Sequence, residues 1–242
     1  MALNRALVID VGNSRIKYAC FEQGVVGLHA AIQPDESKAL HEITRFFKPD
    51  WILISGSGNV PEDVFGLEQN ARVFRCTHAS PLPIRSAYHE QSTPGIDRLA
   101  NVCALAEMFG EQTALAVDMG TCVTFDLWQH ASFSGGIIAP GLQMRLDAMH
   151  AFTASLPLVE LREGAPLVGN NTASCMQSGA LNGWKFEVLR TMEEFENNFP
   201  GISIVITGGD AKHFDLPLKN TIFADPLLTL KGLYQILDFN AR

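Results

Sequence analysis

The chain has 242 residues, of which 47% are hydrophobic and 18% charged, and a formal net charge of −8; this excludes a disordered chain and argues against a broad nucleic-acid or anionic-membrane surface, while a phosphate ligand needs only local positive groups. The five cysteines at 20, 76, 103, 122 and 175 show no CxxC or metal-finger spacing, the ALVIDVG start carries no long apolar leader, and no stretch approaches the ~20 apolar residues that cross a bilayer. The expectation is a cytoplasmic protein with reduced thiols and no membrane or nucleic-acid partner, built as one large domain or two modest ones.

RALVIDV (5–11) is a short β-branched apolar run that predicts a buried strand, and IKYACFEQG (16–24) and VVGLHAAI (25–32) continue as strands that turn near Gln23-Gly24. Residues 35–47 carry Leu40, Ile43, Phe46 and Phe47 at helical spacing, with Asp35 as the cap and Pro49 as a stop. WILISGS (51–57) reads as a buried strand and RVFRC (72–76) as another. TPGIDRLANVCALAEMFG (93–110) opens with turn chemistry and becomes a helix, with Leu99, Val102, Leu105, Ala106 and Phe109 as its buried stripe and Gly110 as its stop. ALAVDMG (114–120) is a strand, CVTFDLW and SFSGGIIAPG make a hairpin, and a long helix covers 172–197. ISIVITGGDA (202–211) predicts a strand breaking into a Gly-Gly turn and a short helix; TIFADP and LLTLKGLYQIL close the chain as strand and helix.

Each half therefore opens with a strand that ends in Asp-x-Gly and a polar residue. Repetition on this scale points to two α/β domains facing each other across a cleft, 1–112 and 113–242, with the last helix able to pack back on the first. In DVGNSRIK, Asp10 places a carboxylate at the carboxyl edge of a sheet, where α/β ligands bind. Gly12 permits a tight turn and close approach of phosphate, Asn13 and Ser14 offer donors, and Lys17 offers a point charge. A carboxylate repels phosphate unless a cation lies between them, so the set points to Mg²⁺ with a nucleotide. A plain hairpin with a solvated aspartate fits the same residues. In DMGTCVT, Asp118, Gly120, Thr121 and Thr124 repeat the chemistry, and ITGGDA adds a third glycine break. In TPGIDRL, Asp97 and Arg98 sit at a helix start, where anions are favoured. They read either as an acid–base carboxylate beside a carboxylate-binding Arg, or as a first-turn aspartate and a solvated Arg. His41 and His150 read as surface or packed residues. P-loop, Rossmann and serine-hydrolase signatures are absent.

Together, DVGNSRIK, Tyr88 seven residues before GIDR, DMGTCVTFD, GGIIAPGLQMRLDAMHAFTASLP, NNTASCMQSG and ITGGDA resemble the type III pantothenate kinases of the acetate and sugar kinase/Hsp70/actin superfamily, over nearly the whole chain. The resemblance implies two ribonuclease H-like (actin-like ATPase) domains with a nucleotide cleft between them. It implies a cytoplasmic homodimer that phosphorylates pantothenate with ATP and Mg²⁺ at the start of coenzyme A synthesis, aided by a monovalent cation, K⁺ or NH₄⁺. It implies Asp97 as the catalytic base. ATP falls to Asp10, Val11, Gly12, Asn13, Ser14, Arg15, Ile16, Lys17 and Thr121. Pantothenate falls to Tyr88, Gly95, Ile96, Asp97 and Arg98, with Thr172 from the partner subunit. Asp118 takes the K⁺ and Asp10 the Mg²⁺. Cys122 stands where alanine is common in the family. A phosphatase or other small-molecule kinase of the same superfamily, and an accessory factor for transcription, are the alternative readings.

Overall fold

The computed structural model describes residues 3–56, 60–61, 64, 66–69, 71–88, 94–214 and 222–241; Ser57, Thr93 and Thr221, at the ends of sequence-predicted segments, lie outside them. Its strands are β1 (Arg5–Val11), β2 (Ile16–Glu22), β3 (Val25–Ile32), β4 (Trp51–Gly56), β5 (Arg72–Arg75), β6 (Arg85–Ser86), β7 (Ala114–Met119), β8 (Cys122–Gln129), β9 (Ser132–Pro140), β10 (Ser203–Thr207) and β11 (Ile222–Ala224). Its helices are α1 (Ala39–Phe47), α2 (Ile96–Phe109), α3 (Leu142–Ala151), α4 (Thr172–Asn198) and α5 (Leu228–Asn240). The chain separates into two compact units, one of residues 1–111, 128–135 and 227–242, the other of residues 112–127 and 136–226.

In the first unit the sheet runs β3-β2-β1-β4-β5. β1, β2 and β3 form an antiparallel meander, and β4 and β5 join in parallel. β1 and β4 are covered on both faces, which is why they read as unbroken apolar runs. Leu7, Ile9, Ile52 and Ile54 pack with Leu40 and Phe47 of α1; Ala6, Val8 and Leu53 pack with Ala100 and Cys103 of α2 and Leu233 and Leu237 of α5. Helix α1 begins at Ala39, later than the spacing predicts. Asp35 sits in a separate 3-10 turn, Pro34–Glu36, where the Glu36 carboxylate accepts from the Gln33 N–H at 2.8 Å, so Asp35 does not cap α1. Lys48 closes that helix in the left-handed region at φ 51°, just before Pro49. Helix α2 departs from a single stripe: every residue from Arg98 to Leu105 is buried, while Ala106 and Phe109 are half-exposed. The cause is α5, which lies along α2 and also meets β1, β2 and β4.

The second sheet runs β11-β10-β7-β8-β9-β6, with β7, β10 and β11 parallel. Five of its strands repeat the order of the first sheet, with β7 in the place of β1, and β6 is added at the β9 edge. The predicted duplication is thus a duplication of topology. Val117, Phe125, Ile204 and Ile206 pack against Leu181, Trp184, Val188 and Met192 of α4. Helix α3 was not evident in the sequence pattern because it buries only one pair, Leu142 and Leu146. The strand β10 breaks at Gly208 into a 3-10 turn, Gly209–His213.

Two consequences follow from buried polar groups. Thr229 Oγ1 on α5 donates to Asn101 Oδ1 on α2 at 2.8 Å, both residues being buried. Thr229→Val keeps the shape and removes the donor, so urea unfolding should show a loss of about 1–3 kcal/mol. Burial raises the Asp210 carboxyl above its usual range, against the lowering effects of His213 and Lys212. A raised carboxyl contributes fully to folding below its unfolded value, about 3.9, and loses that contribution as pH rises through the folded value. Asp210→Asn should therefore melt above the parent at pH 7, and the advantage should vanish towards pH 4 in paired thermal melts.

Candidate active site

The first Asp-Gly loop is a tight hairpin between β1 and β2, closed by the Gly12 N–H donating to the Arg15 carbonyl at 3.0 Å. That amide is committed inside the turn, so Gly12 serves the loop by its shape and does not offer its own N–H to a ligand. Asp10 faces Lys17 across the antiparallel pair and Ser55 across the parallel one. Val11 and Ile16 are core residues that anchor the two arms. Asn13, Ser14 and Arg15 at the tip are exposed. Of the stretch from Asp10 to Lys17, the polar tip and the Asp10–Lys17 pair are what a phosphate and its cation can meet. Nearby, burial pushes the Cys76 thiol up to about 11, Ser80 opposing and the Asp10 charge adding to the effect; this thiol is inert at neutral pH.

The second loop occupies the corresponding place in the second sheet. Asp118 stands beside Thr207 in the parallel register of β7 and β10, as Asp10 stands beside Ser55, and both hydroxyl residues are buried. Thr121 is exposed at the tip. The Gly120 N–H donates to the Cys122 carbonyl at 2.9 Å and the Gly141 N–H to the Thr121 carbonyl at 3.1 Å, which ties the loop to the start of α3. Gly208 has φ +96°, and a side chain there would overlap the Met119 backbone. The glycine of ITGGDA therefore lets one strand end press against the other; Gly209 faces open space. On β8, Thr124 Oγ1 donates to Asp126 Oδ2 at 3.0 Å, and Asp126 is completely buried. Thr172 opens α4 as an exposed first-turn residue, behind an Asn171 cap that accepts from the Ser174 N–H at 2.9 Å.

The remaining candidates gather in the first unit at the start of α2. Gly95 is the N-cap, and Asp97 is exposed in the first turn with Oδ1 accepting the Arg98 N–H at 2.9 Å. A side chain at Gly95 would overlap Asp97 Oδ1, so the glycine keeps room for that carboxylate. The start of a helix is a place where anions are favoured. Arg98, one residue on, turns inward and is only 4% exposed. Its guanidinium carbon lies 5.9 Å from the centre of the Tyr88 ring and 5.7 Å from that of Phe133, within cation–π range. Ile96 packs against the core cluster shared by α2 and α5.

Sequence reasoning missed several of these neighbours. Ser55 and Thr207 become partners of the two aspartates only through parallel pairing, which no local pattern reveals. Phe133 read as a hairpin residue; its position two residues before the Gly-Gly pair was the available signal. Asp126 was legible only as the last residue of the DMGTCVTFD stretch.

A family model described as type III pantothenate kinase matches residues 6–194. A type III pantothenate kinase of Flavobacterium johnsoniae is 34% identical over 96% of this chain and 97% of its own length. Another, of Cytophaga hutchinsonii, is 35% identical over 97% of this chain and 99% of its own. Among solved structures, a conserved Baf family protein of Campylobacter jejuni shares the fold at a TM-score of 0.60, with 17% identity and 97% of this chain and 98% of that one covered. The repeated sheet order, the two Asp-Gly loops and these similarities agree: the chain belongs to the type III pantothenate kinase family, the actin-like α/β kinases that phosphorylate pantothenate in coenzyme A biosynthesis.

Proposed function

We propose that Asp97 is the base for phosphoryl transfer from Mg·ATP to the primary hydroxyl of pantothenate in this chain. The observation that carries the reading is the first turn of α2, where an exposed carboxylate precedes a buried guanidinium that lies beside Tyr88. A substrate with a hydroxyl at one end and a carboxylate at the other needs such a pair. Asp97 accepts the hydroxyl proton as the oxygen bonds to the γ-phosphorus and the bond to the bridging oxygen breaks, leaving ADP. Because such transfers are loose, aiming the hydroxyl counts as much as removing its proton. Arg98 holds the substrate carboxylate, with Tyr88 and Gly95–Arg98 lining the site.

Asn13, Ser14, Arg15 and Lys17 meet the phosphates, with Thr121 on the other loop. Asp10 and Asp118, each beside a buried hydroxyl residue, are hard oxygen donors of the kind that suit Mg²⁺ and a monovalent cation such as K⁺ or NH₄⁺. When bound, these cations offset the charge of the triphosphate. Asp10 is assigned to the Mg²⁺ and Asp118 to the monovalent ion.

The active form is a homodimer in this reading. The second unit leaves Leu158, Leu167 and Phe186 exposed, with Phe152 at 89% and Val168 at 82%. Apolar side chains in such number suit a partner face. Thr172 follows Val168 by four residues, which agrees with its reaching the partner's pantothenate site. No helix among the described residues is long and apolar enough to cross a membrane, and the cytoplasm is the proposed compartment.

Asp97→Asn should lower kcat at least about 100-fold, or about 2.7 kcal/mol, and leave KM for ATP within about threefold. Turnover within about tenfold of the parent would show that Asp97 is not the base. Exchanging K⁺ for Na⁺ should lower the parent's turnover, and Asp118→Asn should be equally slow in both salts. A variant that keeps its K⁺ response would place the cation elsewhere.

A further inference from the structure

We propose that Phe133 is a positioning residue for the carboxylate end of the substrate: its ring, together with that of Tyr88, fixes the place of the Arg98 guanidinium. The inference rests on the reading of Arg98 as the carboxylate-binding group. Arg98 carries a flexible side chain, and its charge is almost entirely removed from water. A buried cation must be compensated, and an arginine that is to receive a carboxylate must also be ordered before the substrate arrives. The two rings lie beside the guanidinium and limit where it can sit. They are parallel within 3°, with centres 5.5 Å apart, and the guanidinium carbon is nearly equidistant from them, so the three groups form a compact triangle.

Phe133 is the inner member of the triangle, with no exposure, while Tyr88 is half-exposed. The backbone of Phe133 also sets where Tyr88 sits. Ser86 of β6 lies opposite Phe133 of β9, the Ala87 N–H donates to the Phe133 carbonyl at 2.9 Å, and the Tyr88 N–H donates to Ser86 Oγ at 3.2 Å. An ordinary core phenylalanine packs among aliphatic neighbours; this one is shared between a substrate-site tyrosine and a buried cation. Its side chain therefore acts on pantothenate through Arg98, without touching the phosphates.

The test compares Phe133→Leu, Phe133→Met, Phe133→Tyr and Arg98→Lys with the parent in steady-state assays against pantothenate and ATP, alongside thermal melts. Phe133→Leu should raise KM for pantothenate about tenfold, a loss of about 1.4 kcal/mol, with kcat and KM for ATP within about twofold. Phe133→Met, which better keeps the volume, should behave alike if the leucine variant does not fold. Phe133→Tyr, which keeps the ring, should return KM for pantothenate to within about threefold of the parent. A variant that melts lower but keeps the parental KM for pantothenate, or raises both KM values together, would reduce Phe133 to packing and overturn the inference. If Arg98→Lys also leaves KM for pantothenate unchanged, the reading of Arg98 itself falls; if Arg98→Lys raises it and the Phe133 variants do not, only the role of Phe133 falls.

Discussion

Each half of the chain ends the first strand of its sheet on an aspartate set beside a buried hydroxyl residue of the neighbouring parallel strand: Asp10 beside Ser55, and Asp118 beside Thr207. The rest of the site depends on this pairing. A carboxylate at the rim of a buried sheet is expensive unless something positive meets it, and triphosphate is repelled by it unless a cation intervenes. In the proposed function, a metal ion and a nucleotide complete these two sheet ends. The same constraint explains the glycines around the second loop, where Gly208 brings the end of β10 against the Met119 backbone and Gly141 ties Thr121 in place. A loop fixed by backbone contact keeps its shape without a ligand to order it, and in the proposed function this is preorganisation for phosphoryl transfer.

The proposed acceptor end follows a different logic. Two consecutive residues of α2 divide the work because the helix turns them apart: Asp97 stays at the surface of the first turn and Arg98 goes inward. In the proposed reading, exposure keeps the carboxylate within reach of the substrate hydroxyl. Burial makes the guanidinium a stronger partner for a carboxylate, since charges attract more where water is excluded. Aromatic faces from β9 and from the segment after β6 lie beside the buried guanidinium. The helix that carries both residues is itself held from outside the local sequence, by α5 and the Thr229–Asn101 hydrogen bond.

Much of this was legible in the residues. RALVIDV, WILISG and ALAVDM are continuous apolar runs because their strands are covered on both faces, and such runs announce themselves. The Asp-x-Gly endings announced the loops because a charged residue where a core strand stops is conspicuous. What escaped depends on distant parts of the chain. The nearly all-round burial of α2 reflects α5, which arrives from more than a hundred residues away. Two-residue β6 exists only because β9 pairs with it, and Ser55 and Thr207 gain meaning only in the register of parallel strands. Helix α3 offers a single buried pair, too little for a periodic signal. Asp35 looked like a cap because its side chain suits one, but Glu36 is the acidic residue whose carboxylate accepts the Gln33 N–H.

The measurement that tests the account most directly is ADP release by the purified chain with Mg·ATP in K⁺ buffer, with and without pantothenate. The account predicts turnover that requires pantothenate, with one 4′-phosphopantothenate formed for each ADP. ADP or phosphate released at the same rate without pantothenate, from protein shown to be folded, would contradict it and leave two well-made nucleotide loops serving another acceptor.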